Sequence, residues 1–172
     1  MRSIKFDLSP AGAIFSEDRT RRYALWREVN YDFLGPDLEK YVLFIGLNPS
    51  IANETRLDPT VTRCYNYAKR WGFRYLLMGN LYSKVSTDPK NVRFNDYERE
   101  NMEYLVKLHL MAEQTILAWG THAEKYIACL AIKNLIDGKG LYCLGVNQDQ
   151  SPKHPLYLRG DVKPQLYEAH LK

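Results

Sequence analysis

The chain has 172 residues, 45% of them hydrophobic and 26% charged, which suits one domain spanning 1–172 with a sizeable core and argues against a disordered or fibrous protein. Its formal charge of +4 permits an anionic partner such as nucleic acid or a nucleotide, although solubility alone accounts for so mild an excess. No apolar run approaches the roughly 18 residues that a bilayer-spanning helix needs, and the opening MRSIKFDLSPAG lacks a signal-peptide core, so a cytoplasmic protein with no membrane partner is expected.

The N-terminal part reads as antiparallel: short apolar or alternating runs at 13–16 and 23–29 flank the charged turn EDRTRR. After the polar stretch NYDFLGPDLEK the pattern changes to alternating strands and helices. YVLFIG (41–46) is a continuous apolar run, as expected of a strand buried on both faces. In DPTVTRCYNYAKRWG, Asp58 can cap a helix, Pro59 fits its first turn and Gly72 its end, while Cys64, Tyr67, Ala68 and Trp71 recur at helical spacing. YLLMGNL (75–81) predicts a second strand. Asn95 and Glu98 form a capping-box pattern before a helix whose apolar face is Met102, Leu105, Val106 and Leu110. TILAWG (115–120) predicts a third strand, Thr121 and Glu124 a second capping box, and a helix to about residue 135 follows, ended by Gly138 and Gly140. LYCLG (141–145) predicts the fourth strand, and SPKHPLYLRGD a proline-rich loop closing over the sheet's edge. The expected class is α/β: a central, mostly parallel four-stranded sheet with helices on both faces, plus an N-terminal antiparallel hairpin.

In such a sheet ligands bind beyond the carboxyl ends of the strands. Those ends carry Asn48-Pro49-Ser50, then Asn80 with Leu81-Tyr82-Ser83, then Trp119-Gly120-Thr121-His122, then Gly145-Val146-Asn147 leading to Lys153-His154-Pro155. Their convergence on one rim makes each a candidate. Gly46 lets backbone approach a ligand, Pro49 stiffens the turn, and Asn48 supplies both an acceptor and a donor. Each residue alone has an ordinary reading: Asn-Pro-Ser as a turn, Asn80 as a strand-end amide bonded to backbone, Trp119 as core, His122 and His154 as surface residues. The 13 Tyr and 3 Trp likewise serve as core and rim residues or as faces for stacking bases. Cys64, Cys129 and Cys143 form no C-x-x-C pair and read as reduced intracellular thiols; no His or Cys spacing predicts a metal, and no cofactor is implied.

The quoted residues support two resemblances. RYALWR, FIGLNPSIANETRLDPTVTRCYNYAKRWGF, GNLYSKVSTDP, AWGTHA and YCLGVNQDQSPKHPLYL resemble the bacterial and phage family DUF1643, whose name implies no reaction. The order of motifs is also similar to the uracil-DNA glycosylase superfamily, which implies a three-layer sandwich. There a Gly-x-Asn-Pro turn, matched by Gly46-Leu47-Asn48-Pro49, positions the hydrolytic water. A later Asn, matched by Asn80, reads the pyrimidine edge. Ala118-Trp119-Gly120-Thr121-His122-Ala123 looks like the family's strand-to-helix junction, and His154-Pro155-Leu156-Tyr157-Leu158 resembles its His-Pro-Ser-Pro-Leu loop but lacks the Ser-Pro. The segment 53–63 is peculiar to the DUF1643-like pattern. Within it Asp58, Thr60 and Arg63 suit an anion at a helix start, or a plain cap and a surface ion pair.

The resemblance implies a protein acting on a nucleobase or nucleotide, with N-glycosidic hydrolysis of a modified base in DNA as the reaction. Asn48 would position water, Asn80 read the base edge, and Tyr65, Tyr82, Trp119 or Tyr157 stack on the base. His154 or His122, with Lys153 nearby, would bind phosphate or support the leaving base. An amide cannot be a general base near neutrality, so the same pocket serves equally for a non-catalytic nucleotide or nucleic-acid binding module. A protein-interaction domain that kept only the fold is a third reading.

Overall fold

A computed structural model describes residues 9–29, 40–88, 90, 99–135 and 140–168. The capping-box pattern at 95–98, Gly138 and most of the loop before residue 40 lie outside them. The first two alternating runs pair as an antiparallel hairpin, β1 (Ala11–Phe15) with β2 (Arg22–Glu28). The YVLFIG run forms β3 (Tyr41–Gly46), every residue of it buried. On one side β3 pairs in parallel with β4 (Tyr75–Asn80), and on the other with β5 (Gln114–Leu117). β6 (Tyr142–Cys143) lies parallel to β5, and β7 (Gln165–Leu166) runs antiparallel to β6.

The hairpin is not an appendage to a four-stranded sheet, as the sequence suggested. β2 pairs antiparallel with β4 through Leu25–Met78, giving one mixed seven-stranded sheet in the order β1-β2-β4-β3-β5-β6-β7. β7 escaped prediction because two exposed residues carry no periodicity. β6 is two residues rather than five, its ends released into turns.

Alternation along β3 sends side chains into two cores. Val42 and Phe44 pack with Val61, Cys64, Tyr67 and Ala68 of helix α1 (Pro59–Arg70). Leu43 and Ile45 pack with Leu105 and Leu108 of α2 (Arg99–Met111) and with Ile127, Ala131 and Leu135 of α3 (Lys125–Leu135). Helices therefore cover both faces. Each fully buried Leu or Ile contributes about 1.5–3 kcal/mol, so the central strand anchors both layers. Asp58 caps α1 as expected, its Oδ1 accepting from the Val61 N–H at 2.8 Å, with Pro59 next and Gly72 left-handed (φ 78°) after the end. Trp71 is half-buried and stacks on Tyr67 and Phe44.

Two helical expectations shift. Leu110 is 55% exposed, and Leu108 takes its place, because the inward stripe follows 101, 105 and 108 rather than ending at 110. The Thr121 capping box does not form: Gly120, at φ 74°, starts a separate 3-10 turn (Gly120–His122). α3 begins at Lys125, and the Ala128 N–H bonds to the Glu124 carbonyl, so Glu124 occupies the cap position.

The end of β4 is locked from α2. Asn101, fully buried, donates its Nδ2 to the Asn80 and Leu81 carbonyls, both at 3.0 Å. Asn101→Ala leaves two buried acceptors without a donor and is expected to lower stability by about 2 kcal/mol. Denaturant unfolding should show a reduced midpoint with an unchanged slope.

Candidate functional site

The carboxyl ends of β3, β4 and β5, the first turn of α1 and the chain after β6 enclose a cavity of about 350 Å³. Gly46, Leu47, Asn48 and Ser50 reach it from the end of β3, and Asn80 from the end of β4. Trp119, Gly120 and His122 come from the β5 end, Asp58 and Thr60 from the start of α1, and His154 and Tyr157 from the proline-rich loop. Trp119 is both core and wall, since it is only 2% exposed. His122 and Tyr157 are exposed and sit at the mouth.

Of the candidates, Leu81, Ser83, Gly145, Val146 and Pro155 do not line the cavity, nor do Tyr82, Pro49, Lys153, Tyr65 and Arg63. Tyr82 packs into the α2/α3-side core beside Leu81: strand alternation breaks after Asn80, where the Leu81 and Tyr82 N–H groups bond in succession to the Gly46 and Leu47 carbonyls. Pro49 is buried and contributes only its carbonyl. Lys153 turns toward Gly145. Tyr65 packs along α1, and Arg63 lies on the outer side of that helix, in a separate depression with Arg70 and Gly160. Residues not singled out also form the wall: Arg22, Val61, Met78, Ser86 and Thr87, together with the rim residues Thr121 and Asn147.

Gly46 serves Asn80 more directly than it serves any ligand. A Cβ at Gly46 would stand 2.9 Å from the Asn80 Oδ1, so only glycine lets that side chain lie across the strand. Asn80 is 3% exposed, and its Nδ2 has no partner. Buried polar groups are normally bonded, so this enclosed donor on a cavity-lining residue lacks the acceptor it requires. Asn48 is oriented by its contacts: its Nδ2 donates to the Ser86 carbonyl at 2.8 Å and the Pro49 carbonyl at 3.1 Å. Both partners are acceptors, which fixes the amide and leaves Oδ1 to accept a further donor.

A family model described as "Protein of unknown function (DUF1643)" matches residues 22–156. The chain belongs to the DUF1643 family. The matched span includes every wall residue named above except Tyr157, and it begins at Arg22. No curated protein and no solved structure matches the chain.

The fixed charges in this DUF1643 cavity are Asp58 and Arg22, with the titratable His154 beside them. Asp58 is buried, with Oδ1 committed to the helix start. Arg22 is buried too, and desolvation pushes its pKa down to about 10, Asp58 opposing the shift and Arg27 adding to it. His154 is half-buried; desolvation lowers its pKa from the ordinary histidine value, Asp58 counteracts, and His122 adds to the lowering. Its Nδ1 accepts from the Leu156 N–H at 3.4 Å, so the neutral ring carries its proton on Nε2 and offers a donor. The ring also meets Tyr157, tilted at 5.7 Å. Among the described residues no three His, Cys, Asp or Glu side chains gather as a metal would require.

The lowered His154 pKa has a signed consequence. Protonation is harder in the folded protein than in the unfolded chain, so the neutral ring's contribution is fully present above the unfolded value of about 6.5 and is lost as pH falls through the lower folded value. Thermal unfolding from pH 8 to 5 should show a decline below about pH 6.5 that is shallower in His154→Gln.

Proposed function

We propose that this DUF1643 protein is uracil-DNA glycosylase-like: it takes a nucleobase or nucleotide into the cavity and hydrolyses the N-glycosidic bond of a modified base in DNA. The observation that carries this reading is the unpartnered, buried Nδ2 of Asn80 in a cavity built from strand ends. A planar ring with a carbonyl or ring-nitrogen acceptor would satisfy it, with Trp119 as a wall for stacking. The parallel pairings of β3 with β4 and β5, and of β5 with β6, under helices on both faces, support reading the architecture as the three-layer arrangement that the motif order implies.

In this reading a water is held by the Asn48 Oδ1 and attacks C1′ of the sugar as the bond from C1′ to the base nitrogen breaks. The bonding pair leaves with the base. His154 Nε2–H hydrogen-bonds to it, and the water's proton passes to solvent. Asn48 cannot accept that proton, so the rate must come from positioning and from stabilising a cationic sugar. A base in a duplex must first leave the stack to enter such a pocket.

A second reading is a binding module using the same pocket without cleavage. What favours it is Asn48 itself: it is not ionisable, and its nitrogen is already spent on two carbonyls. The open cavity gives no support to an interaction domain with a rim filled by side chains.

A panel of modified single- and double-stranded DNAs, assayed for free base by mass spectrometry, separates the two. Base release that disappears in Asn48→Ala, with the fold retained, is the expected outcome for the enzyme. Stabilisation by nucleotide or DNA without any product is the outcome for the module. Asn80→Ala is expected to weaken binding about tenfold in either case, since it removes the unpaired donor. Unchanged affinity there removes the base-reading role.

A further inference from the structure

Arg22, the first residue of RYALWR, is a wall residue to which the sequence assigned no role. Its side chain is only 2% exposed. Among the described residues its guanidinium makes a single side-chain hydrogen bond, Nη1 to the Ala52 carbonyl at 2.6 Å, while the enclosed Nε donates to nothing. Asp58 influences it electrostatically without forming an ion pair, its own Oδ1 being held by the Val61 N–H.

The backbone is built to put Arg22 there. Leu25 pairs with Met78 and Arg21 bridges Lys84, so three residues of one chain face five of the other between those pairs. The β1 side also shifts register, between Ile14 and Phe15. A bulge of this kind re-aims a side chain. By strict alternation Arg22 would follow Ala24 into the core under α2 and α3; it lines the cavity on the opposite face instead, with Met78 and Val61.

A guanidinium this enclosed is costly unless an anion meets it. We propose that the cavity takes a guest carrying an oxyanion, carboxylate or phosphate, seated on the Nε side of Arg22. This rests on the cavity being a nucleobase or nucleotide site and adds the charge of the guest. The Nε edge of a guanidinium is a fork that matches two oxygens of one oxyanion. The N-terminus of α1, reaching the wall through Thr60, adds a field of the same sign. Asp58, at the same helix start with its Oδ1 held by the Val61 N–H, offsets part of that field.

The test uses two matched pairs, orotate with uracil and uridine 5′-monophosphate with uridine, plus inorganic phosphate alone. Each is titrated by calorimetry and thermal shift against the full chain and Arg22→Met. The expected result is that the acidic member of at least one pair binds tenfold or more tighter, and that the preference is lost in Arg22→Met. The orotate pair reports a carboxylate on the base, the monophosphate pair a phosphate. Without ligand, Arg22→Met should unfold at the same or a higher temperature, because a buried charge with no ion-pair partner has gone. A markedly lower temperature would mark Arg22 as structural and overturn the proposal. So would equal binding within both pairs, a preference that survives in Arg22→Met, or no binding of any of the five. If Arg22→Met cannot be produced, the wild-type comparison within pairs and saturable stabilisation by phosphate decide alone. Equal, tight binding of uracil and uridine with their acidic partners removes the oxyanion and keeps the base. Phosphate binding that depends on Arg22, with none of uracil or uridine, does the reverse.

Discussion

The in-register parallel ladder between β3 and β4 is the constraint from which the site follows. It runs from Tyr41–Tyr75 to Gly46–Asn80 without a shift. Side chains alternate with period two, so Gly46 and Asn80 fall on the face of Val42, Phe44 and Met78, the face that α1 covers. A slip of one residue would send Asn80 under α2 instead. In the observed register, the missing side chain of Gly46 is the space that Asn80 Oδ1 occupies. Hydrogen bonding continues past both strands, Leu81 N–H to Gly46 carbonyl at 3.0 Å, and holds the following turn in place. The cavity is thus an extension of the sheet's geometry, and its polar groups inherit the rigidity of buried strands.

That inheritance explains which parts could be read from the residues. β3 and β4 are legible because burial on both faces leaves an uninterrupted apolar run, and the ends of such runs point to one rim. Asp58 is legible as a cap because Pro59 follows it. Tyr82 is misleading because alternation stops after Asn80: Leu81 and Tyr82 both turn into the α2/α3-side core, where strict period two would have put Tyr82 on Asn80's face. Arg63 is two positions beyond Val61, about 200° around the helix, so the turn that brings Val61 inward carries Arg63 outward. β7 and the 3-10 turn at Gly120 depend on tertiary contacts that leave no period in the chain. Arg22 was illegible because its position depends on a bulge, and a bulge is a mismatch between two strands that neither sequence shows alone.

The electrostatics of the cavity are internally opposed. Arg22 and Asp58 are both buried and close enough to influence one another, and each is bonded chiefly to backbone: Arg22 to the Ala52 carbonyl, Asp58 to the Val61 N–H. They form no ion pair, although the Asp58 charge partly compensates the buried Arg22. A directly paired Arg and Asp would form a closed, structural unit with little left for a guest. Held apart, they leave a cation with an unused donor on one wall and a carboxylate on another. His154, pushed toward neutrality by its surroundings, adds a donor without adding a fixed charge. The arrangement favours a guest with acceptors at the Arg22 and Asn80 positions over one that is merely apolar, because only acceptors satisfy the enclosed Nε and Nδ2.

Under the proposed function, Asn48 sets the balance between holding and cleaving. Its nitrogen ties the turn after β3 to Ser86 on the chain after β4, and the Ser86 N–H returns a bond to the Pro49 carbonyl at 2.9 Å. These reciprocal bonds clamp two strand ends together across the cavity wall. A residue with a structural task on one atom can still have a chemical one on another, and the free Oδ1 is held in place by the bonds that use up Nδ2. An ionised carboxylate at position 48 could not donate to the Ser86 and Pro49 carbonyls, so this clamp requires an amide. The chain therefore trades proton acceptance for rigidity, and any catalysis here must be of the kind that rigidity serves: a fixed water beside a fixed base.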